Sequence, residues 1–244
     1  MNSEKMKYYN MGLKERPKYV YTPEQNEQLE NYIADKLGKF EMVYHELYSP
    51  DIHLDILVIP PSPEENYYKL VTSGMGAYKM DIPKELDDLE LQRAELVMFL
   101  PPDWNLDFSK EENGWVVRQL KQLSRLPIQC NTWLTFGQTF ASEDNKPLSE
   151  KAKFTGTILF DAFDKEGKEL NCRLDNKEKV NFYFVYPLYK EELDYKLNNG
   201  IEKFLDLLSE QDFNFVVDVN RKNYCEKIKS QNKSNDIELE EIDK

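Results

Sequence analysis

The fold is decided between residues 52 and 104. This stretch reads Ile52-His53-Leu54-Asp55-Ile56-Leu57-Val58-Ile59-Pro60-Pro61, then Tyr67-Tyr68-Lys69-Leu70-Val71-Thr72-Ser73-Gly74-Met75-Gly76, then Arg93-Ala94-Glu95-Leu96-Val97-Met98-Phe99-Leu100-Pro101-Pro102-Asp103-Trp104. Each run, 52–59, 67–73 and 93–100, is rich in β-branched and aliphatic residues over seven or eight positions, the length and composition of a buried or half-buried strand. Each is closed by a Pro pair or by Gly, because proline cannot donate to a sheet ladder and glycine weakens one.

Outward from these strands, helix and strand signals alternate. Thr22-Pro23-Glu24 is a helix start, with a threonine cap, proline at the first position and acids near the positive end of the dipole. Leu29, Ile33, Leu37 and Phe40 then recur at helical spacing, which predicts a helix over 23–38 stopped at Gly38. Residues 40–48 read as a strand that turns at Ser49-Pro50-Asp51 into the 52–59 run, and a tight closure sets His45 opposite Asp55 with His53 on the same face. Residues 60–66 and 77–90 read as loops. The stripe Trp115, Val116, Leu120, Leu123 predicts a helix over 110–125, capped by Asp107 or Ser109 and stopped by Pro127.

Further strands are predicted at 130–136, 154–163, 170–174, 180–186 (ended by Pro187) and 213–219, with a turn at Asp164-Lys165-Glu166-Gly167. Leu193, Leu197, Ile201, Phe204, Leu205 and Leu208 predict a helix over 190–209, bent at Asn198-Asn199-Gly200. The organisation expected is a weakly ordered arm at 1–21, one domain over 22–220, and a polar, charged tail at 221–244. The fold class is α+β, a mostly antiparallel mixed sheet covered by about three amphipathic helices.

Charge bounds the partners. A net charge of −13 is the wrong sign for an electrostatic nucleic-acid binder or for an anionic membrane surface. It suits either a basic protein partner or simple solubility. Three widely spaced cysteines, Cys130, Cys172 and Cys225, are poor material for a disulfide framework, and no apolar run approaches a membrane span. The expectation is a soluble cytoplasmic protein without cofactor or metal.

The chemistry-bearing residues are few. His45 and His53 are the only histidines, and with Asp55 they are a meagre metal set. Asp55 and Glu95, with His53, are the candidates for a hydrolase reading. The competing reading makes His53, Asp55, Arg93 and Glu95 a structural polar cluster, with an Arg–carboxylate pair at its centre that Asp55 can join. Thr72-Ser73-Gly74-Met75-Gly76 is either a bent strand end or a cradle for an anion through backbone N–H groups; it lacks the Gly-Lys-Ser/Thr ending of a P-loop. Trp104, Trp133 and Tyr186 are core residues or, if exposed, contact anchors.

The ordered wording of these segments resembles the suppressor-of-fused family in its bacterial form. The resemblance is carried by His53-Leu54-Asp55-Ile56, Leu70 through Met75, Arg93 through Leu96, Leu100 through Trp104, Leu126-Pro127, Thr132-Trp133-Leu134, and Tyr186-Pro187-Leu188-Tyr189 with Glu191-Glu192-Leu193. It spans roughly residues 25–220. Where the family pattern has Gly-His-Thr, this chain has Gly137-Gln138-Thr139, so no imidazole stands there. The resemblance implies a single suppressor-of-fused-like domain that is not an enzyme. It implies a binding module that sequesters or neutralises a protein partner, as an immunity protein blocks a toxin domain. The partner expected is a basic toxin domain or an extended peptide, with no nucleic acid and no membrane. The candidate contact residues are Thr72, Ser73, Gly74, Met75, Trp104, Thr132, Trp133 and Gln138, which lie where the family wording meets segment ends. A hydrolase or a structural subunit of a complex are the alternatives.

Overall fold

In the computed structural model the residues described are 18–46, 49 and 51–226. Most of the expected arm (1–17), the turn residue Pro50 and tail residues 227–244 lie outside them. Among these residues eight strands form one sheet: β1 (Met42–Tyr44), β2 (Asp55–Ile59), β3 (Tyr68–Ser73), β4 (Arg93–Leu100), β5 (Thr139–Ala141), β6 (Gly156–Asp161), β7 (Asn171–Arg173) and β8 (Lys179–Leu188). Their order is β1-β2-β3-β4-β8-β6-β5, with β7 paired to the start of β8. All ladders are antiparallel except β4–β8, which is parallel with Arg93 opposite Val180.

The sheet is buried on both faces, which is why its central strands read as continuous apolar runs. Ile56, Val58, Leu70, Leu96 and Met98 pack on one face with α2 (Glu111–Cys130), through Trp115, Val116, Leu120 and Leu123. Leu57, Val71, Val97, Phe99 and Phe184 pack on the other with α1 (Pro23–Lys36) and α3 (Lys190–Ser209). The architecture is the α+β arrangement expected, with helices on both sides of a mostly antiparallel sheet.

Several local readings hold. Thr22 and Gln25 form a reciprocal capping box at 3.2 Å each way, worth about 1 kcal/mol. At the other end of α1, Lys69 of β3, 3% exposed, donates to Leu37 O at 2.6 Å and so places a cation at the negative end of the dipole. α3 is kinked at Gly200, whose φ of 86° interrupts the helix.

Others are corrected. α2 does not stop at Pro127 but runs through it to Cys130 and ends at Asn131 in the left-handed conformation (φ 48°). Its N-cap is Lys110, with no side-chain cap; Asp107 instead accepts from Ser109. A proline removes only its own N–H, and Pro127 O still accepts from Asn131 and Thr132. The strand predicted at 130–136 is absent as such, because α2 consumes its start and Asn131 and Gly137 take positive φ; the strand β5 begins at Thr139. β8 continues past Pro187 to Leu188. The β4 ladder has already ended at Val97–Phe184, so Pro187 lies where one side of β8 has no ladder to feed. The run 213–219 makes only the single bridge Phe99–Val216. Its Phe213 and Phe215 are drawn into an aromatic cluster, with Phe215 4.6 Å from Phe184 and Phe213 5.0 Å from Tyr186. The loop expected at 77–90 holds a 3₁₀ turn at Lys84–Leu89.

Candidate protein-contact surface

Glu95 is the centre of the most constrained polar site. The β3–β4 ladder runs out at Val71–Val97, and beyond it the backbones separate. Thr72 bridges the opening: its Oγ1 accepts from Leu96 N at 2.7 Å and donates to Glu95 Oε2 at 2.6 Å. Gly74 N and Gly76 N each donate to Glu95 Oε1 at 3.0 Å, and the Tyr21 hydroxyl donates to it at 3.1 Å. The 72–76 segment is therefore an anion cradle, and the anion it holds is the chain's own carboxylate. Glycine is required at 74, where a Cβ (φ +123°) would meet His53 O at 1.9 Å, and a Cβ on Gly76 would meet the Tyr21 hydroxyl at 2.2 Å and displace it from Glu95. Glu95 is fully buried, and burial pushes its carboxyl up to about 7 against the pull of the four donors. Burial, and then the Glu95 charge, push the Tyr21 phenol well above its usual range.

The other members of the predicted polar cluster separate into different sites. Arg93 does not pair with Glu95 or Asp55. It pairs with Glu178 at 2.5 Å and donates to Gly76 O and Ala77 O at 2.6 and 3.0 Å, pinning the far side of the same turn. Asp55 is where the hairpin register places it, opposite His45. Its Oδ2 is 3.1 Å from His45 Nδ1 and its Oδ1 3.5 Å from His53 Nε2. Burial pushes Asp55 up and the two imidazoles outweigh it, so its carboxyl lies below the usual range; the Asp55 contact holds His53 above its own. Arg125 of α2 ties this corner down through Glu46 at 2.5 Å and Asp51 at 3.1 Å. Glu95, sealed in its cradle, and the Asp55–His53 pair thus do not share an open cleft. Among the described residues no group of three or more His, Cys, Asp or Glu is placed to hold a metal ion.

The predicted contact residues divide similarly. Thr72, Ser73, Gly74 and Met75 are buried in the chain's own interior, so they present no surface to a partner. Trp104 and Trp133 are half-buried against the α2-side core, with Trp104 edge-on to Trp115 at 6.2 Å. Thr132 and Gln138 are half-buried in the turns between α2 and β5, where Gln138 Oε1 accepts from Thr135 N at 2.9 Å.

Sequence reading missed a second buried charge. Glu192, read from the sequence only within the Glu191-Glu192-Leu193 wording, is fully buried. It accepts from Arg221 Nη1 and Nη2 at 2.6 Å each and from Tyr189 N and Tyr224 N. The Arg221 guanidinium is ringed by Phe154, Tyr186, Tyr189 and Tyr224 at 4.5–5.3 Å. Residues 221–226, set aside with the tail, are thus packed on the body, and Cys225 is buried. No local signal joined the two: Glu192 stands in a run of acids at a helix start and Arg221 in the polar stretch after Asn220.

An open apolar groove lies beside the second half of α3. It measures about 330 Å³ and is lined by Phe160, Leu205, Leu208, Phe213 and Phe215. Phe136 and Leu205, both more than a third exposed, stand at its margin. No helix among the described residues is long and apolar enough to cross a membrane.

Residues 50–222 match the family model of Suppressor of fused protein (SUFU). The chain belongs to the suppressor of fused family. A relative, the uncharacterized protein UU111 of Ureaplasma parvum serovar 3, is 30% identical over 209 residues, covering 84% of this chain and 98% of its own. The SUFU fold is also shared with solved structures of low identity. A SUFU homologue from Neisseria gonorrhoeae FA 1090 superposes with a TM-score of 0.58 at 14% identity, over 82% of this chain and 96% of that one. A chain of the Sufu–Fu complex gives 0.60 at 13%, over 86% and 96%. Drosophila Suppressor of Fused gives 0.53 at 12%, over 93% of this chain and 58% of the longer fly protein. The SUFU match takes in Thr72 through Glu95 and the Glu192–Arg221 pair, while α1 and Tyr21 precede it.

Proposed function

We propose that this chain is a non-catalytic protein-binding module that sequesters or neutralises a protein partner, in the manner of an immunity protein bound to a toxin domain. The observation that carries the reading is the SUFU fold, shared over nearly the whole of a chain of the Sufu–Fu complex. Two further features support it. The carboxylates a hydrolase would use are engaged internally, Glu95 by Thr72, Gly74, Gly76 and Tyr21, and Asp55 by His45 and His53. The net charge of −13 favours encounter with a basic partner. The free thiols Cys130 and Cys172 suit a reducing cytoplasm.

The test is an affinity pull-down of the tagged chain from its native lysate at low and high salt. Captured proteins are identified by mass spectrometry and titrated back in purified form. A basic polypeptide held at low salt, weakened at high salt and saturating at one site is the expected result. An empty pull-down at both salts, together with hydrolytic turnover abolished by Glu95→Gln, would overturn it.

A further inference from the structure

We propose that the apolar surface at Leu197 and Leu205 of α3, with half-buried Ile201 between them and Phe136 beside it, docks a basic amphipathic segment of a protein partner. This rests on the protein-binding reading and adds the place of contact and its chemistry. The buried side of α3 is occupied: Leu193, Phe204, Leu207 and Leu208 enter the core. Leu197, before the Gly200 kink, is 68% exposed and Leu205, beyond it, 39%, while Ile201 between them is half-buried.

This surface continues onto neighbouring elements. The Cβ position of Gly137 lies 3.5 Å from Ile201 Cγ1, which sets the 136–138 turn alongside Ile201. Phe136, 38% exposed, has its ring 6.3 Å from that of Phe160, and Phe160 lines the groove together with Leu205. Single exposed leucines are ordinary on a protein surface, whereas apolar side chains that run together into a groove mark a contact site.

Charge selects the occupant. Glu202, Asp206, Glu210 and Asp212 are exposed on α3 and just beyond it and make no salt bridge among the described residues. They outnumber Lys196 and Lys203, which are likewise without a salt bridge there. A segment with apolar residues at i, i+4 and i+7 and lysine or arginine on its flanks fills the groove and meets unpaired carboxylates. A second copy of this chain on the same face would set those carboxylates against their own kind, since a two-fold interface is self-facing.

The test uses the full chain and a fluorescein-labelled, 18-residue amphipathic helix of leucine and lysine, with a counterpart carrying glutamate for lysine. Anisotropy is read at low and high salt. The lysine peptide should bind at least tenfold tighter than the glutamate peptide. The double substitution Leu197→Ser, Leu205→Ser should weaken it at least tenfold, and Asp206→Lys should flatten its salt dependence. Leu89→Ser, on the Lys84–Leu89 turn, should change it less than twofold. Equal binding of the two peptides, or wild-type binding by the Leu197→Ser, Leu205→Ser variant, overturns the assignment. So does a wild-type dimer in sedimentation that this variant abolishes, which would give the face to a second copy. The same variant enters the lysate pull-down. A partner it captures as well as the wild type overturns the surface and leaves the protein-binding reading intact. An empty wild-type pull-down bears on that reading alone, and the peptide titration still decides the surface.

Discussion

Two fully buried glutamates, Glu95 and Glu192, are accommodated by different physics. Glu192 faces a cation: Arg221 grips both its oxygens, and four aromatic rings surround the guanidinium. None of the four groups that hydrogen-bond Glu95 is a cation: they are two backbone N–H groups and two hydroxyls. Dipoles stabilise a buried carboxylate less completely than a bidentate ion pair does, and burial accordingly drives Glu95 up to about 7. One site is a fixed ionic rivet, and the other sits near the point where its charge changes.

The rivet should be the costlier to break. Arg221→Ala leaves Glu192 buried and unpaired, and urea denaturation should show a loss of about 3–5 kcal/mol. Replacing both, as Glu192→Leu with Arg221→Met, should recover most of that loss. If Arg221→Ala costs under about 1 kcal/mol, the contrast between the two sites fails.

Glu95 sharpens the comparison through pH. A carboxyl raised in the folded state favours folding when protonated, so its contribution is full below its unfolded value and is lost as pH rises through the folded one. Stability should fall by roughly 3 kcal/mol between about pH 4.5 and 7, with the slope of a single group. Glu95→Gln should flatten that stretch of the denaturation profile. A slope unchanged in the variant would assign it elsewhere.

A smaller effect is expected at the cradle's rim. Tyr21→Phe deletes one donor, should cost about 0.5–1.5 kcal/mol in chemical denaturation, and should shift the Glu95 slope to higher pH. Smallest is His53→Gln. His53 is above its ordinary value in the fold, so its contribution is present below that value and fades as pH rises through the folded one. With its side chain 41% exposed, solvent screening should hold the change in thermal stability to under about 1 kcal/mol.

The two sites also differ in how far sequence revealed them. The Glu95 cradle was half legible: Gly74 and Gly76 ending a strand after Thr72 suggested backbone donors, and the hairpin register correctly brought His45 to Asp55. What local pattern could not supply was the anion, because Glu95 reaches the turn only after β4 pairs with β3. The Glu192–Arg221 pair left no local trace, since its two charges stand in segments that read independently as a helix start and a tail. The same limit explains the misplaced elements. Pro127 and Pro187 carry strong local stop signals, yet long-range packing of α2 and β8 carries the chain through both. Phe213 to Val219 has strand composition, but its phenylalanines are claimed by the Phe160–Phe184–Tyr186 cluster.

The parallel seam between β4 and β8 also sets an order of events during synthesis. β1 to β4 can zip into an antiparallel meander as soon as they emerge, but β4 stays an open apolar edge until β8, about 90 residues later, arrives to close it. At about 5–20 residues per second, that edge waits roughly 5–20 s on the ribosome. During that interval the β8-facing edge of β4, Arg93 to Val97, has no partner strand. This window, rather than any weakness in the finished sheet, is when the protein is most open to mispairing or to capture by a chaperone.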